Sequence, residues 1–229
     1  MSDFPPARAP LPDPQSSAMR PNAQEALVQH RSLWDWRRHI SELYAEVRSS
    51  EPLPGWQHWC AVRDDLFRRH AQSPIVSQER RHFPGIPYFA YDPSLRHLAE
   101  LGGPDNSEPV SMTAGRDGAV TLLPFARTRG LAPHLGNELT LYWIEGYGGG
   151  VFLPFRDATC GRETFAGGRY LLDTIKGADL GCTPDGRIIL DFNFAYNPSC
   201  SYSGQWVCPL APGENTLPLP VRGGERGRD

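Results

Sequence analysis

The chain has 229 residues, and its 23 basic and 26 acidic side chains give a formal charge of −3, which argues against a general nucleic-acid binder. Hydrophobic residues at 39% and charged residues at 21% supply a core and exclude wholesale disorder, in a length that suits one domain with an appendage. Proline and glycine, 23 of each, favour turns and short strands over a helical bundle.

Residues 1–20 hold Pro5, Pro6, Pro10, Pro12 and Pro14 without apolar periodicity, so a disordered tail is expected there. The start shows no apolar h-region of a secretory signal. No run of about 18 apolar residues could span a bilayer. Five cysteines, an odd number, suit a reducing compartment. The expectation is a soluble, cytoplasmic protein with no membrane partner.

Residues 21–75 read as a helical segment. Asn22 and Glu25 are spaced as a capping box. Leu33, Trp36, Ile40, Leu43, Tyr44 and Val47 then fall on one helical face. Ser49-Ser50-Glu51-Pro52 ends that helix. A second is expected from about Gly55 to Ala71, with Trp56, Trp59, Cys60, Leu66, Phe67 and His70 on its face. Ser73-Pro74 stops it, because a residue before proline disfavours helix.

Residues 76–222 read as a β-rich domain. Phe83 to Pro93 is an aromatic and proline loop or edge strand, and Asp92 caps a short helical turn through Leu98. Val110–Thr113 and Ala119–Phe125 flank an Asp117-Gly118 hairpin signal. Further strands are expected at 138–144, with Leu139, Leu141 and Trp143 on one face, and at 150–155, 169–174 and 187–194. Leu217–Val221 suits an edge strand, given Pro218 and Pro220. The predicted class is α+β: two N-terminal helices packed on an antiparallel β-barrel or β-sandwich. Residues 223–229 carry arginines suited to phosphate contacts, but a solvated, disordered tail is the preferred reading.

The glycine run Gly146–Gly150 lies between two strands rather than before a helix, so a hairpin or bulge is expected and no nucleotide site. Cys200 and Cys208 are spaced too widely for a structural zinc pair, and no histidine stands nearby. No metal is expected. Buried free thiols or a close unbonded pair is the preferred reading, with a redox disulfide as the alternative.

Three runs carry a family resemblance: Pro154-Phe155-Arg156-Asp157-Ala158-Thr159 with Gly161, Glu163-Thr164 and Gly168-Arg169-Tyr170-Leu171; Asp191-Phe192-Asn193 with Ala195-Tyr196-Asn197-Pro198; and Cys208-Pro209-Leu210-Ala211-Pro212 with Glu214-Asn215. Over roughly residues 55–222 they resemble DUF1684, a bacterial and archaeal domain of unknown function. The resemblance implies a domain extent and a choice of positions, and no reaction.

Arg156 and Arg169 suit bidentate capture of a carboxylate or phosphate. Tyr170, Asn193, Tyr196, Asn197 and Trp206 supply aromatic walls and polar groups around them. The preferred reading is a small-molecule or anion-binding β domain whose partner is a small anionic molecule. One alternative is a hydrolase-type enzyme using Asp157, Glu163 or Asp191 as acid or base. Another is a protein–protein module presenting the aromatic loops. The same charges can also serve only as structural ion pairs at a barrel rim.

Overall fold

The computed structural model describes residues 22–113 and 118–228. The expected tail at 1–20 and most of the hairpin turn at 115–118 lie outside the described residues. Helix α1 (Ala23–Arg48) starts as its sequence requires. Asn22 Oδ1 accepts the Glu25 N–H at 2.9 Å, and Glu25 accepts the Asn22 N–H at 3.1 Å. The reciprocal pair satisfies two donors that a helix start leaves orphaned. Helix α2 (Pro52–Arg69) begins three residues before the expected Gly55, because proline is favourable in the first turn, where its missing N–H has no partner to lose.

The strands are β1 (Arg96–Gly102), β2 (Val110–Thr113), β3 (Ala119–Arg129), β4 (Thr140–Ile144), β5 (Gly150–Phe155), β6 (Arg169–Asp173) and β7 (Ile188–Asp191). They form one antiparallel sheet in the order β6-β5-β4-β3-β1-β7. The long β3 pairs with β2 over residues 119–122 and with β1 over 127–129, so two strands share one of its edges. Past β7 the chain turns at Phe192–Phe194 and returns to β6. There Tyr170 and Tyr196 exchange both backbone bonds, at 2.8 and 3.0 Å, and bring the sheet close to a closed barrel. The prolines within strands, Pro124 and Pro154, both stand at register shifts, where the ladder does not need their missing N–H.

The barrel interior is filled by residues such as Leu139, Leu141, Leu153, Leu171, Leu190 and Phe155. The helices pack on the barrel's outside through Ile40, Leu43, Tyr44, Val47 and Trp59, against Leu180 and Phe194. Burial of each such aliphatic or aromatic side chain contributes roughly 1.5–3 kcal/mol. No helix among the described residues is long and apolar enough to cross a membrane.

Three expectations are corrected. Residues 96–98 are strand rather than helical turn: the Asp92-capped turn stops at Leu95, and β1 pairs with β7 from Arg96. On β4, Thr140, Leu141 and Tyr142 are all buried, so both faces of its first half are packed, while Trp143 further along is exposed. Residues 217–221 join no strand; the chain touches the sheet through a single parallel bridge, Arg156 to Thr216.

The C-terminal residues 223–228 are not a solvated tail. They lie between residues 87–89 and Ala195, with Phe89 N–H donating to Gly224 O, Arg226 N–H to Pro87 O and Glu225 N–H to Ala195 O at 2.8–3.0 Å. The Glu225 side chain is fully buried and pairs with the buried guanidinium of Arg63 on α2. It also accepts from the Asn197 N–H and the Tyr202 hydroxyl. A polar, glycine-rich segment is thus ordered by long-range backbone hydrogen bonds and a buried charge pair. Gly224, at φ +73°, approaches Ala195 O so closely that an added Cβ would lie 2.2 Å from it.

Candidate functional site

Arg169, expected as an anion clamp, is a core residue. It points from β6 into a fully buried site, where Nη2 donates to Asp157 Oδ2 and to Val221 O, each at 2.8 Å. Nη1 donates to Gly223 O and, at 3.3 Å, to Glu225 O. The guanidinium stacks 5.1 Å from the Phe155 ring centre. Asp157 uses its other oxygen to accept the Thr159 N–H at 2.7 Å and the Val221 N–H at 3.3 Å. The pair ties the loop after β5 to the C-terminal segment. Neither charge is free for a ligand or a proton transfer.

The other expected residues separate. Arg156 is exposed, and its backbone, not its side chain, bonds to Asn215 and Leu217. Asn193 is buried and pins Asp92 to Asp191, donating to Asp92 O at 2.7 Å and Asp191 Oδ1 at 2.8 Å. Tyr170 and Tyr196 meet edge to face at 5.7 Å where the barrel closes, and the Tyr170 hydroxyl donates to Pro209 O at 2.6 Å. Burial pushes both phenols well above their ordinary range. Trp206 stands on a surface loop.

Asp191 is buried, and desolvation pushes its carboxyl above the usual range, opposed by the Asn193 bonds and by Arg96. Arg96 Nε lies 4.0 Å from its Oδ2. With Arg48 and Arg96 it lines a small cavity of about 70 Å³. Of the three acid or base candidates, Asp191 alone has an oxygen without a close donor. Glu163 is held by Arg222 in a bidentate pair at 2.8 and 2.9 Å, which keeps its carboxyl below the usual range.

A larger cleft, about 820 Å³, opens between the loop 84–87, the loop 161–166 and the C-terminal residues 226–228. It brings together two expected residues, Glu163 and Asn197. It also brings in residues not expected there: Asp64, Arg162, Ser201, Arg226 and Arg228. Both carboxylates are engaged. Asp64 accepts the Ile86 N–H at 2.8 Å and lies 3.5 Å from Arg68, and Glu163 pairs with Arg222. The three arginines are not. Among the described residues Arg162 and Arg226 have no carboxylate within 4.0 Å, and Arg228 has only Glu79 at that distance. Arg226 stacks on Phe89, and Arg228 on Phe83 and Tyr202, which fixes their stems and leaves their N–H edges available. Beneath the cleft surface, Asn197 Oδ1 and Ser201 Oγ are buried without a hydrogen-bond partner. Pro84, Ile86 and Phe165 supply an apolar wall. The arginines of the C-terminal segment were the available sequence signal. They read as tail because Glu225, which orders them, has its partner on a distant helix.

One cluster has metal-ligand chemistry: Asp35, His39 and His70, with one ligand atom from each within 4.8 Å of the others. Its bonding does not fit a cation. The Gln72 N–H donates to His70 Nδ1 at 3.0 Å, so the ring proton sits on Nε2 and points at Asp35 Oδ2, 3.3 Å away. The cluster reads as a hydrogen-bonded link from α1 to the end of α2. His70 foremost holds the Asp35 carboxyl below its ordinary range.

No protein of curated function matches this chain. The chain resembles an uncharacterized protein of Haloarcula marismortui, from gene locus rrnAC0354, whose structure was solved in solution by NMR. The two share 34% identity, over 74% of this chain and 91% of that one, with a TM-score of 0.50. Residues 81–226 match the family model DUF1684, described as a protein of unknown function. The match starts beyond the two helices and takes in Glu225 and Arg226, so it runs four residues past the extent expected from motifs. On these grounds the chain belongs to the DUF1684 family.

Proposed function

We propose that this protein binds a small anionic molecule, a carboxylate or phosphate with an apolar portion, in the cleft lined by Arg162, Arg226 and Arg228. The observation that carries this reading is the set of three arginines without close carboxylate partners beside two carboxylates that are already engaged. Such a set attracts an anion and offers it bidentate hydrogen bonds. The unpartnered Ser201 hydroxyl supports the reading, since it can donate to an anion and a buried polar atom left unsatisfied costs about 1–3 kcal/mol. Residues 161–164 and Asn197, from two of the motif runs, form part of the walls. A binding role accords better with these contacts than a hydrolase does, because Asp157 and Glu163 are both tied to arginines and Asp191 lines the separate small cavity, not this cleft.

Calorimetric titration with inorganic phosphate and with succinate tests the proposal. Wild type should bind at least one of them. The double variant Arg162→Ala/Arg226→Ala should lose at least about tenfold in affinity, the equivalent of 1.4 kcal/mol. Arg156→Ala, outside the cleft, should bind as wild type does. Failure of wild type to bind either probe, or equal binding by all three proteins, would count against the cleft.

A further inference from the structure

The small cavity between the end of α1 and the barrel holds charges that the arginine cleft does not use. Arg48 of α1, Arg96 of β1 and Asp191 of β7 supply its polar lining, and Val47, Ile189 and Phe194 an apolar wall. Asp191 is 1% exposed. Its Oδ1 accepts the Asn193 backbone N–H at 3.0 Å and the Asn193 side-chain N–H at 2.8 Å, which fixes the rotation of the carboxylate. Its Oδ2 accepts from no donor among the described residues. Arg96 Nε stands 4.0 Å from that oxygen, beyond hydrogen-bond reach. Arg48 has no carboxylate within 4.0 Å among the described residues; its Nη1 donates to Asp179 O at 2.7 Å, which ties its guanidinium to the chain between β6 and β7. The cavity is therefore lined by one buried carboxylate oxygen that lacks a donor and by two guanidiniums with N–H groups to spare.

We propose that this cavity binds a small zwitterion, an α-amino acid of the size of glycine or alanine, with its ammonium on Asp191 Oδ2 and its carboxylate on Arg48 and Arg96. The site is separate from the cleft of Arg162, Arg226 and Arg228 and does not depend on it. The charges select against each half of such a molecule alone. A bare amine would meet Asp191 but also two guanidiniums. A bare carboxylate would meet the guanidiniums but lie against Asp191 and leave Oδ2 without a donor. A molecule carrying both groups pairs every charge.

Size points the same way. The cavity measures about 70 Å³. At about 10–15 Å³ for each water-sized occupant, it has room for roughly five non-hydrogen atoms, as many as glycine has. Val47, Ile189 and Phe194 offer the Cα or a methyl group an apolar surface. Burial raises the Asp191 carboxyl above its ordinary range. An ammonium on Oδ2 favours the charged form and offsets that effect. A buried carboxylate held half-satisfied costs stability, as binding groups commonly do.

The test titrates the full-length protein in a calorimeter with glycine and L-alanine, and with acetate and methylammonium as the two halves. Wild type should bind at least one amino acid, and each half at least about tenfold more weakly. Asp191→Asn should lose amino-acid affinity by at least about tenfold and no longer discriminate against acetate. Arg48→Met should lose amino-acid affinity by a similar factor. Arg162→Ala/Arg226→Ala, altered only in the cleft, should bind the amino acid as wild type does, which keeps this outcome apart from that of the cleft. No binding of either amino acid by wild type, acetate bound as tightly as the amino acids, or Asp191→Asn binding like wild type would overturn the proposal. The wild-type titrations decide the case even where a variant folds poorly.

Discussion

Replacing Glu225 by glutamine removes one charge from a site that water does not reach. The carboxylate is fully buried, and its partner Arg63 is almost as deeply buried among Trp59, Phe67 and Tyr196, with ring centres 4.7–5.2 Å from the guanidinium. Glutamine keeps the volume and one acceptor, so the main consequence is an uncompensated guanidinium in a low-dielectric site. Breaking a buried ion pair in this way costs about 3–5 kcal/mol. The Asn197 N–H and the Tyr202 hydroxyl lose a charged acceptor as well, within the same total. A domain's whole stability is typically about 5–15 kcal/mol, so the loss should be plain in equilibrium urea unfolding. With a slope of about 2 kcal/mol per molar, a loss of about 4 kcal/mol moves the midpoint down by about 2 M.

Two further proteins separate this account from a generic core defect. Removal of residues 223–229 deletes the same carboxylate and should cost at least as much. The double variant Arg63→Met/Glu225→Leu exchanges the pair for apolar side chains and should recover most of the lost stability, because the desolvation cost of both charges is removed together. A midpoint for Glu225→Gln within about 0.3 M of wild type, or a truncated chain as stable as the full one, would refute the reasoning.

Arg169→Ala leaves Asp157 buried without its counter-charge and should cost about 3–5 kcal/mol, whereas the exposed Arg156→Ala should stay within about 0.5 kcal/mol of wild type. Comparable urea midpoints for the two variants would contradict the assignment of Arg169 to the core. For Asp191 the sign follows from its raised carboxyl: burial disfavours the charged form, so the group's favourable contribution is present below the unfolded value of 3.8 and is lost as pH rises through the higher folded value. Asp191→Asn carries no such charge. It should therefore gain stability relative to wild type between pH 4 and pH 7, and paired urea titrations at those two values would reveal a gain that is absent or reversed.

What the sequence disclosed and what it hid divide along contact distance. The start of α1 was legible because Asn22 and Glu25 interact across three residues, and the β2–β3 pairing because its strands flank an Asp-Gly pair. Strand β1 was missed for a physical reason. Arg96 to Gly102 buries only Ala99 deeply, so its side chains show no apolar alternation, and its identity comes from backbone bonds to β3 and β7. Arg169 illustrates the harder case. An arginine among aromatic residues on a strand has the same local sequence whether it awaits an anion or already holds Asp157, twelve residues away. The C-terminal segment is the extreme one, since Glu225 meets Arg63 across 162 residues. Nothing local marks Gly-Gly-Glu-Arg-Gly-Arg as ordered; its partners, Arg63, Arg169 and the backbone of residues 87–89 and 195, all lie far away in sequence. That order also holds Arg226 and Arg228 at the cleft, so the stability of the Arg63–Glu225 pair and the anion affinity of the cleft should rise and fall together.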